Sequence, residues 1–200
     1  GNGERIAHQL EEWPEWLDAL GMSGLFVDYP GYGASEGSPS LARCARAARD
    51  AVAWLARREE VPALLIGGRS VGSLFALEAA AELQRLRREG SGETPALRHG
   101  PAGLFLESGV ADVVQRLAIR IPYERLGLDR GAIEGAVARD FDHRAKLSAL
   151  DCPVLVLHCA QDSLVPASHG EQLAAWAGDN LLELALFAQG DHNTIQWINA

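Results

Sequence analysis

Residues 63–75 read Ala63-Leu64-Leu65-Ile66-Gly67-Gly68-Arg69-Ser70-Val71-Gly72-Ser73-Leu74-Phe75. An apolar run of strand character ends here, and a stretch with helical spacing begins almost at once. Such a reversal favours Gly, Asn or Asp, yet a serine stands at its centre. Gly68-Arg69-Ser70-Val71-Gly72 fits G-x-S-x-G, the turn that lifts a serine hydroxyl above the end of a sheet. Ser70 is either a helix cap or a hydroxyl held out for chemistry. The flanking Gly68 and Gly72 are expected to let strand and helix crowd a strained serine, where a Cβ would clash.

Outward from this turn, short apolar runs alternate with helical patterns, which predicts a parallel sheet wrapped by helices. Gly24–Tyr29, Ala63–Gly67, Gly103–Glu107, Pro153–Cys159 and Leu181–Phe187 read as strands. Leu41, Cys44, Ala48, Val52 and Leu55 share one helical face, with Ser40 available as its cap. The helix after Ser70 is apolar at first and turns charged by residue 85, so its first turns are expected against the sheet. Residues 89–101 are polar and rich in Gly and Pro, as in an exposed loop. Trp13-Pro14-Glu15-Trp16 interrupts a helical pattern, and Pro14 suits the first turn of a second piece. Val165–Trp176 and residues 194–200 predict two more helices. About 45 residues of broken helical pattern separate Glu107 from Pro153, long for a crossover. The segment at about 110–150 therefore reads as a lid-like insertion.

In a parallel sheet, functional groups gather at the carboxyl ends of the strands. Ser70, Asp162 and His192 each follow a strand, in that order along the chain. A serine needs a neighbouring base to become a nucleophile, and an imidazole titrates in the right range. A carboxylate fixes the tautomer and stabilises the imidazolium. Asp151, Asp191 and Glu107 compete for the acid's place. Asp151 precedes its strand, and Asp191 adjoins the histidine too closely to orient it. Glu107 ends a strand and is the most credible substitute. His158 reads as a structural strand-end residue and His169 as a first-turn helix residue. Arg69 suits an exposed neighbour or an ion-pair partner. Pro30-Gly31-Tyr32-Gly33 lacks the G-K-[ST] ending of a phosphate loop and reads as a turn bordering the site.

Bulk composition narrows the function classes. Two hundred residues with 48% hydrophobic content and a mean hydropathy of −0.04 suit one globular domain, 1–200, with a sizeable core. A net charge of −9 argues against a nucleic-acid partner, whose phosphates attract Lys and Arg. Cys44, Cys152 and Cys159 form no CxxC pair and suggest thiols of a reducing, cytoplasmic compartment. No two histidines have metal-ligand spacing on one helix, so neither a metal nor a cofactor is expected.

Taken together, several stretches resemble the α/β-hydrolase superfamily and, within it, the subgroup related to acyl-protein depalmitoylases. They are residues 28–37 (Asp-Tyr-Pro-Gly-Tyr-Gly-Ala-Ser-Glu-Gly), Gly68–Ser73, Leu106–Gly109, Cys152–His158, Asp162–Pro166, Ser168–Gly170 and Gly190–Asn193. The resemblance implies a three-layer α/β/α sandwich around a mostly parallel sheet. It also implies Ser70 as nucleophile, Asp162 as acid and His192 as base. The oxyanion hole would use the backbone N–H of Val71 and of the residue after a His-Gly pair. Gly1-Asn2-Gly3-Glu4 is similar to that element without its histidine, which makes Asn2 the second donor. The strands that precede this turn in the family are missing from the sequence, so the chain reads as a fragment of a longer hydrolase. The expected activity is cleavage of an ester or thioester of a small-molecule or acyl substrate. Two alternatives stay open: an aminopeptidase- or amidase-like hydrolase using Glu124, Glu134 and Asp140 to bind an ammonium, and a non-catalytic relative that binds a ligand or partner.

Overall fold

The computed structural model describes residues 6, 13–90, 92–114 and 129–199. Helix α1 (Pro14–Ala19) has Pro14 in its first turn, as expected. Next comes α2 (Leu41–Ala56), whose cap is Ser40: the extended serine accepts the Arg43 N–H at 3.2 Å. Cys44, Ala48 and Val52 of the predicted stripe are buried, and Leu41 and Leu55 are half-buried. The chain then runs β1 (Leu64–Arg69), α3 (Gly72–Arg88), α4 (Pro95–His99), β2 (Pro101–Glu107), α5 (Arg130–Asp140) and α6 (His143–Ser148). It ends with β3 (Val154–Cys159), α7 (Ala167–Ala177), β4 (Leu181–Phe187) and α8 (Ile195–Ile198).

The four strands form one sheet in the order β1-β2-β3-β4, and every pairing is parallel. The register sets Arg69 opposite Glu107, Glu107 opposite Leu157 and Cys159 opposite Phe187. The carboxyl ends therefore share one rim. Helix α3 is buried on two sides. Leu74, Phe75 and Leu83 meet α2 and Leu97, while Leu77 and Ala80 meet Leu104, Leu106, Val154, Val156, Leu147 and Leu173. Complete burial of each such leucine contributes about 1.5–3 kcal/mol, so this helix locks the rim from below. On the opposite face the Trp13 ring stacks on Phe105, with centroids 6.4 Å apart, and Leu65 stays half exposed. Among the described residues, no helix is long and apolar enough to cross a membrane.

Two expectations need correction. Gly24–Tyr29 has a strand's composition but forms none. A strand exists only with a ladder partner, and among the described residues β1 pairs with β2 alone. The segment instead packs through its aromatic rings: Phe26 lies 5.9 Å from Trp13, and Tyr29 lies 4.8 Å from Phe75. Within 89–101, expected to be loop, the short helix α4 buries Ala96 and Leu97. The Thr94 hydroxyl donates to the Ala56 carbonyl at the end of α2, anchoring a segment whose Gly and Pro content reads as exposed. Much of the lid-like segment, 115–128, lies outside the described residues, and so does Glu124. Helix α5 has no fully buried side chain among those described, whereas α6 buries His143 and Leu147.

Candidate active site

Ser70 occupies the turn between β1 and α3 with φ = 54°, in the left-handed region that a side chain rarely tolerates. Its backbone is held from both sides. The Ser70 N–H donates to the Glu107 carbonyl at 2.9 Å, and the Ser70 carbonyl accepts from the Ser73 N–H at 3.0 Å and the Ser73 hydroxyl at 2.6 Å. Such strain persists only where the surroundings over-determine it. Gly68 is required: a Cβ there would lie 2.3 Å from the Gly72 carbonyl oxygen. Gly72 is not, because a Cβ there would meet nothing within 4 Å. The expected crowding therefore acts on only one of the two glycines. Helix α3 starts just beyond, and among the described residues no acceptor meets the Val71 N–H. It is one of the orphan donors at a helix start. Asn2, the expected second oxyanion donor, lies outside the described residues.

Asp162 follows β3 and is buried. Its Oδ1 accepts the N–H groups of Leu164 and Val165 at 2.9 and 2.8 Å. Its Oδ2 lies 2.7 Å from His192 Nδ1. Burial pushes this carboxyl up, but the His192 ring, the two backbone N–H groups and the imidazole charge outweigh it and hold the group below its ordinary value. An ionised carboxylate can only accept, so His192 Nδ1 is the donor in this contact.

His192 is itself buried, in a turn stapled by Asp191. That aspartate accepts from the Asn193 N–H, the Thr194 N–H and the Thr194 hydroxyl at 2.8, 3.0 and 2.9 Å, which hold its carboxyl below the usual range. It shapes the turn without touching the ring. The turn is also tied to Ser70's neighbour: Arg69 donates to the His192 carbonyl at 2.7 Å.

The remaining candidates sort out by contact. Glu107 is buried at the end of β2, with its Oε1 3.2 Å from Arg69 Nε and its Oε2 accepting from Gln196 at 2.8 Å. Asp162, not Glu107, holds the His192 ring. Arg69 is the ion-pair partner that the sequence allowed. His158 is buried beside the site, with Nε2 2.9 Å from the Val165 carbonyl and 3.6 Å from Asp162 Oδ2. His169 Nδ1 accepts the N–H groups of Ala111 and Asp112 at 3.1 and 3.2 Å, fixing the chain beyond β2. Sequence reasoning missed that role, because both donors lie more than fifty residues away. All three cysteines are buried and free. Among the described residues, no cluster of His, Cys, Asp or Glu could hold a metal ion.

A parallel sheet with flanking helices and a strained serine turn between strand and helix give the chain the α/β-hydrolase fold, and solved structures agree. Est1E from Butyrivibrio proteoclasticus, described with ferulic acid bound, superposes with a TM-score of 0.70 at 19% identity over 96% of this chain and 77% of that one. Among curated relatives, the chain is 29% identical over 168 residues to an uncharacterized protein of Mycobacterium tuberculosis, covering 82% of this chain and 50% of that protein. It is 31% identical over 163 residues to the lysophosphatidylserine lipase ABHD12 of Danio rerio, covering 78% of this chain and 40% of that protein. These likenesses support a place in the α/β-hydrolase superfamily. The chain spans about half the length of the curated relatives it matches. No protein-family model matches it.

Proposed function

We propose that this protein is a serine hydrolase that cleaves a carboxylic ester or thioester through an acyl-enzyme. The observation carrying this reading is the 2.7 Å contact between Asp162 Oδ2 and His192 Nδ1, set on the same rim as a strained serine. His192 Nε2 takes the proton as Ser70 Oγ bonds to the substrate carbonyl carbon. The leaving alcohol or thiol receives that proton when its bond to carbon breaks. Water, deprotonated by the same nitrogen, then releases the acid and restores the serine. The Val71 N–H faces the developing oxyanion, with Asn2 proposed as the second donor. Each donor of this kind contributes about 2.7–4 kcal/mol to the barrier reduction.

The likeness to a lysophosphatidylserine lipase supports an acyl-chain ester. The resemblance to acyl-protein depalmitoylases supports a thioester, and the segment at about 110–150 is the proposed cover. The three free, buried thiols suit the cytoplasm. For the aminopeptidase-like alternative, Glu134 is an exposed partner of Arg130, which does not favour an ammonium site. Turnover of p-nitrophenyl acyl esters, matched acyl thioesters and aminoacyl anilides tests the reading. Esters or thioesters should be cleaved by the wild type and not by Ser70→Ala, with the anilides untouched. Undiminished turnover in Ser70→Ala would remove the serine from its role.

A further inference from the structure

The histidine expected to act as base is gripped twice, by its ring and by its main chain. The main-chain grip belongs to no element of the hydrolytic reading above, although the inference drawn from it rests on that reading. Arg69, the last residue of β1, forms an ion pair with Glu107 and a hydrogen bond to the His192 main chain. Its Nε lies 3.2 Å from Glu107 Oε1, and a terminal nitrogen donates to the His192 carbonyl at 2.7 Å. Glu107, directly opposite in the β1–β2 register, spends its other oxygen on Gln196 Nε2 at 2.8 Å. Gln196 lies in α8, four residues past His192. The histidine turn is therefore tied at two points to the ends of β1 and β2.

Both ionic side chains are largely shielded from water: the Arg69 side chain is 19% exposed and that of Glu107 is 5%. An ion pair in such a place is not a screened surface contact. The guanidinium fork suits it, because it offers several donors in one rigid plane. Arg69 also precedes Ser70 directly, so the group that grips the base's main chain belongs to the nucleophile's own turn.

We propose that Arg69 and Glu107 are positioning residues, a clamp that sets His192 at its working distance from Ser70. Asp162 fixes the ring's tautomer and tilt, and the clamp fixes where the ring stands. Neither clamp residue touches substrate. The clamp acts on the rate of the chemical step and leaves binding alone. Small displacements of a catalytic group are costly, since about 1 Å can lower a rate about 100-fold.

The test measures the rate of reaction with a fluorophosphonate probe, kcat and KM on a p-nitrophenyl ester, and the thermal midpoint, all per folded molecule. Arg69→Met should slow labelling and kcat about 10- to 100-fold with little change in KM. Arg69→Lys should recover the midpoint, because an ammonium can still pair with Glu107. It should leave kcat low, because a point charge cannot serve the carboxylate and the His192 carbonyl together. Adding Glu107→Gln to Arg69→Met should lower kcat little further, as for residues acting as one unit. Arg69→Met that labels at the wild-type rate overturns the clamp while the serine-hydrolase reading stands. Arg69→Lys that recovers rate and midpoint together overturns it too, reducing the pair to a structural contact. A wild type that takes no probe overturns both.

Discussion

Asp162 and Glu107 are buried carboxylates at the same rim, one just past β3 and the other closing β2, and each holds a different part of His192. Asp162 spends one oxygen on two backbone N–H groups and the other on the imidazole. Glu107 faces Arg69 and Gln196, and Arg69 in turn donates to the His192 main-chain carbonyl. Residue type and strand-end placement are nearly the same for both. What differs is whether the carboxylate meets an imidazole or a permanent cation. The first arrangement can orient a ring. The second can only hold geometry.

That contrast breaks most visibly at Asp162. Asp162→Asn keeps the shape but offers an amide to Nδ1 and favours the wrong tautomer, so kcat should fall about 10,000-fold. Stopped or steady-state assays with a p-nitrophenyl ester check this, with circular dichroism confirming the fold. A loss of only about tenfold would make the two carboxylates equivalent and erase the distinction.

A third buried carboxylate lies away from the rim and sharpens the comparison. Glu78 of α3 joins α2 and α6 by pairing with Arg49 at 2.8 Å and with Lys146. His143 Nε2 is 3.8 Å from the same carboxylate. Burial, helped by the Lys146 charge and opposed by Glu78 and Asp142, pushes the His143 imidazole down to about 4. The folded state therefore holds this ring neutral where the unfolded chain would protonate it, starting near 6.5. Stability from this group is complete above about pH 6.5 and is lost as pH falls toward 4, roughly 2 kcal/mol between pH 7 and 5. Urea unfolding at the two pH values measures it, and His143→Phe should flatten the difference. An equal pH dependence in His143→Phe would assign the effect elsewhere.

Much of this was legible in the chain because it is local. The β1 turn and the Ser40 cap need only spacing and residue chemistry. Leu181–Phe187 falls on β4 residue for residue. What escaped depends on distant neighbours. Gly24–Tyr29 carries the side chains of a strand, but a ladder needs a second strand beside it. The Arg69 grip on His192 spans 123 residues, and nothing near either residue announces it. Helix α4 hides in a Gly- and Pro-rich stretch because its burial comes from α2 and α3, not from its own pattern. Gly72 shows the converse error, a motif residue whose neighbours leave it open space.

The proposal that Ser70 and His192 act together is tested most directly by intact-mass and peptide analysis after treatment with a fluorophosphonate. One adduct is expected, on the peptide carrying Ser70, and it should vanish in His192→Ala. An unmodified wild type, or an adduct on another serine such as Ser73 or Ser108, would contradict it.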